Sequence, residues 1–278
     1  MNHCEVFRVL SGREIIEGAG VRVRRVLGIP ELQYHDPFLL LDEFKSSESQ
    51  DYAGGFPEHP HRGFETVTYM LNGAMRHKDH AGNQGVLGPG CVQWMTAGRG
   101  IIHSEMPIQK SGLMWGFQLW INLPASEKMK EPMYQDISTE KIPALVLETG
   151  AHIRLIAGSI FGAVGPVTGI STAPLYLDVN VSEESECIIP IPFGHNVLAY
   201  VFEGEGRVGT KSLRLGQLAV LSNGYSVVIK TECVPMRLLV IAAMPLNEPM
   251  VRCGPFVMNS NMEIREAFEQ IKLGTFLE

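Results

Sequence analysis

The chain is predicted to be all-β, two similar antiparallel β-barrels with short helices. Three observations predict this. Glycine and proline are abundant, at 29 and 17 of 278 residues, which suits many short strands and tight turns better than long helices. The apolar segments are short, rich in β-branched and aromatic residues, and end at Gly, Pro or Asn. Two blocks of sequence also recur in the two halves.

The clearest strands are FETVTYML (64–71), GLMWGFQLWINL (112–123), NVLAYVFE (196–203) and SVVIKT (226–231). Two segments read as helix. One is short, over Pro124–Met129. The other is capped by Asn261, carries Ile264, Ala267, Phe268 and Ile271 on its apolar face, and stops at Gly274. The polar stretch from Ser126 to Pro143, broken by Pro132 and Pro143, reads as an interdomain linker. The expected domains are therefore 1–135 and 136–278, the second ending in the C-terminal helix.

In the recurring blocks, residues 59–73 align with 190–204, setting Tyr69 on Tyr200 and Gly73 on Gly204. Residues 90–98 align with 216–224. In these registers His59 and His61 fall on Pro190 and Pro192, and His103 and Glu105 on Ile229 and Thr231. The expectation is two related barrels of which only the first binds a metal.

Charge and cysteine usage narrow the function classes. The net charge is −7, with no basic run, which argues against direct binding to a nucleic-acid backbone. The five cysteines, Cys4, Cys91, Cys187, Cys233 and Cys253, are odd in number and widely spaced. They read as reduced thiols of a cytoplasmic protein rather than as a disulfide framework or zinc site. The opening MNHCEVFRVL does not read as a signal peptide, and no apolar stretch is long enough to span a bilayer. The sequon at Asn180 carries no meaning in such a chain.

The chemistry lies in a split pattern, His59-Pro60-His61 and, some way on, His103-Ser104-Glu105. Strand residues i and i+2 point to one face, so each triplet aims two ligands at one point. Three imidazoles and a carboxylate suit a divalent transition metal with positions left for water or substrate. Glu65 competes as the carboxylate, having the parity of His61 if the strand is regular. His77, Asp79 and His80 lie among turn-forming residues and read as a solvated hairpin end. The GEGRVG run at 204–209 matches a dinucleotide fingerprint, but no helix follows, so a β-hairpin is expected. Ser104 and His103 should face opposite ways, which excludes a Ser–His nucleophile pair. Phe56, Phe64, Trp94, Gln118 and Trp120 are candidate pocket residues, although each reads first as ordinary barrel core. Trp115, with Trp94 and Trp120, reads as core or pocket wall rather than a base-stacking platform.

The runs HPHRGFETVTY (59–69), QWMTAGRGIIHSEMP (93–107), QLWINLP (118–124), EPMYQD (131–136) and GPFVMN (254–259) resemble the pirin family of the cupin superfamily. The resemblance spans nearly the whole chain. It implies a bicupin, two jelly-roll-type antiparallel barrels, with the C-terminal segment packing back across the interface. It implies a metal, Fe(II) above Mn, Co, Ni, Cu or Zn, held by His59, His61, His103 and Glu105. General cupins instead take the carboxylate from the Glu65 position. Some bacterial pirins resemble quercetin 2,3-dioxygenases, which open a flavonol ring with O2 and release carbon monoxide. The implied function is thus a dioxygenase acting on a small aromatic substrate, with Glu105 as general base. The alternative is an iron-binding, redox-sensitive regulator acting through protein partners in transcription or metabolism.

Overall fold

Alternation along two short strands aims His77, Asp79, His103 and Glu105 inward. In Met75–Asp79, Met75, His77 and Asp79 are buried while Arg76 and Lys78 face solvent. In Ile101–Pro107, the buried positions are Ile101, His103 and Glu105. The two strands pair antiparallel, setting His103 opposite Asp79 and Glu105 opposite His77. By contrast Phe64–Asn72 and Met114–Asn122 are buried almost throughout, as strands covered on both faces must be.

The computed structural model describes residues 2–278 and divides into two compact units. One comprises Glu14–Gly28, Phe38–Thr139 and Leu246–Glu278. It holds a seven-stranded sheet and a four-stranded sheet. The four-stranded sheet runs Phe56–His61, Ile101–Pro107, Met75–Asp79, Gln84–Leu87. The other unit comprises residues up to Arg13, Ile29–Pro37 and Glu140–Pro245. Its main sheet is likewise antiparallel, built around Asn196–Val208, Met236–Ala243 and Leu175–Val181.

This division differs from a single cut after residue 135, because both ends of the chain cross over. Val6–Ser11 pairs with Gln217–Leu221, while Leu246–Glu278 packs with the unit that carries His59. The stretch expected as a linker is partly structural. Met133–Ile137 pairs with Val92–Thr96 at the edge of the seven-stranded sheet, and Lys128 is almost fully buried. The expected helix after Pro124 is a single 3-10 turn, Ala125–Glu127. The C-terminal helix is Asn261–Leu273, capped one residue earlier than expected. The Ser260 hydroxyl accepts from the Glu263 amide at 3.3 Å, and Gly274 closes the helix at φ +76°. The GEGRVG run is a hairpin, with Val208 opposite Lys211.

The two units differ where the ligands would be. In the first, His59 stands opposite His103 and His61 opposite Ile101. In the second, Cys187 stands opposite Ile229 and Ile189 opposite Val227, all within an apolar core. The sequence register does not hold across both strands, since Ile229 faces Cys187 rather than Pro190.

Gly63 links His61 to the sheet interior at φ +86°, and a Cβ there would overlap the Val257 carbonyl oxygen. Gly63→Ala should therefore cost about 2–4 kcal/mol, from the left-handed backbone and the steric overlap together. A urea unfolding midpoint unchanged from wild type would refute this.

Candidate metal centre

His59 and His61 come from one edge strand and His103 from its neighbour. Their ring nitrogens form a group whose ligand atoms all lie within 4.8 Å of one another. His61 and His103 are buried, while His59 is partly accessible. Burial, with neighbouring imidazoles adding to it, pushes His61 and His103 well below the ordinary imidazole value. Both are therefore neutral near pH 7, the form that offers a lone pair to a metal.

Two backbone carbonyls orient the pair on the edge strand. His59 Nδ1 lies 2.8 Å from the Pro57 oxygen and His61 Nδ1 3.4 Å from the Pro255 oxygen. A carbonyl can only accept, so each Nδ1 carries the proton and each Nε2 its lone pair. The two Nε2 atoms then face each other at 3.0 Å. Neither ring nitrogen of buried His103 has a hydrogen-bond partner. Converging lone pairs and an unpartnered buried imidazole are unfavourable without a cation between them. The donor set fits a divalent transition metal.

Glu105 is buried two residues beyond His103 but is not part of that group. The pairing with Phe56–His61 shifts register between the two residues, which sets Glu105 opposite Phe56. Its carboxylate is held from the other sheet. Thr68 Oγ1 donates to Oε1 at 3.0 Å and Gln118 Nε2 donates to Oε2 at 2.8 Å. Gln118 Oε1 in turn accepts from the Trp120 indole at 3.2 Å. Glu65, the competing carboxylate, lies on a separate strand beyond Gly63 and accepts from Thr96 at 2.7 Å. The strand break removes the parity that linked it to His61.

A cleft of about 500 Å³ opens onto His59 and His61, within the range of small-molecule sites. Leu40, Phe56, Pro57, Trp120 and Pro255 form its apolar wall, and Gln118, Arg25 and Arg252 lie among its polar residues. Of the candidate pocket residues, Phe56, Gln118 and Trp120 line it. Phe64 lies behind Trp120, ring centroids 4.4 Å apart, and Trp94 is core.

The expectation for His77 and Asp79 is overturned. They are 2% and 6% exposed, and only His80 of that cluster faces solvent. His77 Nε2 meets Asp136 at 3.3 Å, and that imidazole is the main cause holding the Asp136 carboxyl below its ordinary range. The spacing of His77 and Asp79 was the same i, i+2 signal that marked the ligands. The C-terminal segment was also missed as part of the site. It supplies Pro255 and Arg252, and Arg62 ties it down by donating to Gln270 Oε1 at 2.7 Å and to the Phe276 carbonyl at 2.9 Å.

Residues 20–121 match the family model described as Pirin, and residues 176–277 the one described as Pirin C-terminal cupin domain. The chain is 44% identical over 273 residues to the pirin-like protein of Caulobacter vibrioides, covering 98% of each. It is 45% identical over 266 residues to pirin of Homo sapiens, covering 93% of this chain and 89% of that one. A crystal structure of quercetin 2,3-dioxygenase from Acinetobacter baumannii matches with a TM-score of 0.90 at 34% identity, covering 99% of each chain. Among the described residues no helix is long and apolar enough to cross a membrane.

Proposed function

The chain belongs to the pirin family, and from that premise we propose that it is an iron-dependent dioxygenase opening a flavonol-type ring with O2. The observation that carries the reading is three imidazoles converging at the end of an aromatic-walled cleft. Support also comes from the likeness to the Acinetobacter enzyme. His59, His61 and His103 would hold the metal. Fe(II) bound there supplies Lewis acidity toward an ionised hydroxyl and electron-transfer chemistry toward O2.

The protein's own residues do the rest. Leu40, Phe56 and Trp120 bracket a planar ring and exclude water from it. Glu105 takes the substrate hydroxyl proton after its carboxylate exchanges the Thr68 and Gln118 bonds for a position beside the imidazoles. The same residue is the proposed fourth ligand; either role needs the carboxylate turned toward the imidazoles.

The test is loss of quercetin absorbance in air by Fe(II)-loaded protein, run beside Glu105→Gln. Wild type should consume quercetin, and the variant should be slower by at least about a hundredfold with its iron retained. Loss no faster than with free iron, with the metal still bound, would overturn the enzyme reading. The weight would then move to an iron-binding regulator acting through a protein partner.

A further inference from the structure

The cleft beside the imidazoles presents two arginines in different electrostatic states. Arg25 is neutralised. It donates from Nε and Nη2 to both oxygens of Asp42, at 2.8 and 2.7 Å, and Nη2 also lies 2.9 Å from Glu17. Those carboxylates are thereby satisfied as well. Glu58, the remaining acid on the cleft, is exposed at the rim, where solvent screens it.

Arg252 is different. It enters from the C-terminal hairpin strand Val251–Cys253. Its guanidinium lies 4.8 Å from the Trp120 ring centroid and donates from Nη1 to the Leu39 carbonyl at 3.1 Å. Among the described residues no carboxylate forms an ion pair with it, and Asp42 and Glu17, each already paired with Arg25, attract it only at longer range. A guanidinium offers five N–H donors in a planar fork, and most of these are unspent here. The Trp120 contact and the Leu39 bond fix the group in place, so little side-chain entropy is lost when a ligand arrives. Trp120 is also the ring that meets His61, at 5.1 Å between centroids. The arginine and the metal centre thus flank one aromatic wall of one cleft.

We infer that Arg252 is the specificity-determining residue of this cleft, selecting planar aromatic substrates that carry a second anionic oxygen away from the metal-binding one. The anionic oxygen is an ionised ring hydroxyl or a carboxylate; both match the fork of a fixed guanidinium. This rests on the proposed reading that the cleft is the substrate site. It adds a preference that metal chemistry alone does not set, because the imidazoles meet only one end of the ligand.

The test is calorimetric titration of Fe(II)-loaded protein without O2, using 3-hydroxyflavone probes that differ only at the 4′ position. The 4′-carboxylate and the neutral 4′-carboxamide have similar shape, and the 4′-hydroxy compound is titrated below and above its ionisation. Wild type should bind the carboxylate at least about tenfold more tightly than the carboxamide, the scale of one charge-assisted hydrogen bond. In Arg252→Gln that ratio should fall to within about twofold, and Arg252→Lys should restore part of it. A gain for the 4′-hydroxy probe only above its ionisation would identify phenolate as an accepted source. Equal affinity for carboxylate and carboxamide, a ratio that survives in Arg252→Gln, or no binding of any probe would overturn the inference. Turnover of quercetin in air is read separately. Turnover without charge preference would sink this inference and leave the dioxygenase reading standing. An Arg252-dependent preference without turnover would do the reverse.

Discussion

Replacing His61 with alanine is expected to lower Fe(II) affinity by more than about a hundredfold while the fold is retained. Loss of an outer partner of a metal ligand alone costs about 10–100-fold, and here the ligand itself is removed. His61 is also held on several sides. Its Nδ1 faces the Pro255 carbonyl, its ring meets Phe64 and Trp120 edge-on, and it is 3% exposed. Metal content after anaerobic loading and gel filtration is the measurement. The His59→Ala, His61→Ala double variant should retain no stoichiometric iron; full occupancy in it would sink the site. Because burial pushes His61 and His103 well below 6.5, protons should not compete for these two nitrogens as pH is lowered to that value. Any loss of iron as pH is lowered to that value should therefore not arise at His61 or His103.

The strands that bring the three imidazoles together were legible because their signal is local. A strand repeats every two residues, so His59 with His61 and His103 with Glu105 announce shared faces without any knowledge of the fold. The same rule applied to His77 and Asp79. There the surrounding turn-formers outweighed it, since a hairpin tip and a buried strand look alike over five residues. Glu105 shows the limit of parity. It does face inward, yet a register shift opposite Phe56 and bonds from Thr68 and Gln118 hold it apart from the imidazole group. Neither a bulge nor a bond from another sheet is visible in a three-residue motif. The crossing of the termini was illegible in the residues themselves for a related reason. Val6–Ser11 finds its partner strand some two hundred residues away, and Arg252 reaches the cleft through the fold of a segment far along the chain. Only the resemblance to the family implied that the C-terminal segment packs back.

Lys128→Met is expected to destabilise the protein by about 3–5 kcal/mol, the scale of removing one partner from a buried charged site. Lys128 lies in a polar stretch that reads as linker, yet it is 1% exposed. Its Nζ donates to the Gly63 carbonyl at 2.7 Å, Asn122 Oδ1 at 2.7 Å and the Val257 carbonyl at 2.8 Å. Three acceptors match the three N–H donors of the ammonium form, and two of them stay bonded when the amine is neutral. They also join the strand after His61 to the segment that carries Pro255 and Arg252. Methionine approximates the volume but leaves three buried acceptors unpaired, each costing about 1–3 kcal/mol before relaxation. Iron affinity should fall as well, since Pro255 orients His61. The pH dependence gives a second readout. Burial pulls Lys128 down to about 7 from an ordinary 10.5. Between those values the unfolded chain holds a proton that the folded protein has released. Wild-type stability contributed by this group is therefore complete above 10.5 and is lost as pH falls toward 7. The slope is at most about 1.4 kcal/mol per pH unit, and Lys128→Met lacks it. Urea unfolding of both proteins at several pH values should show the stability gap widening as pH rises from 7. A constant gap would mean that the three acceptors hold the proton against burial, making Lys128 a permanent cation at the root of the C-terminal segment.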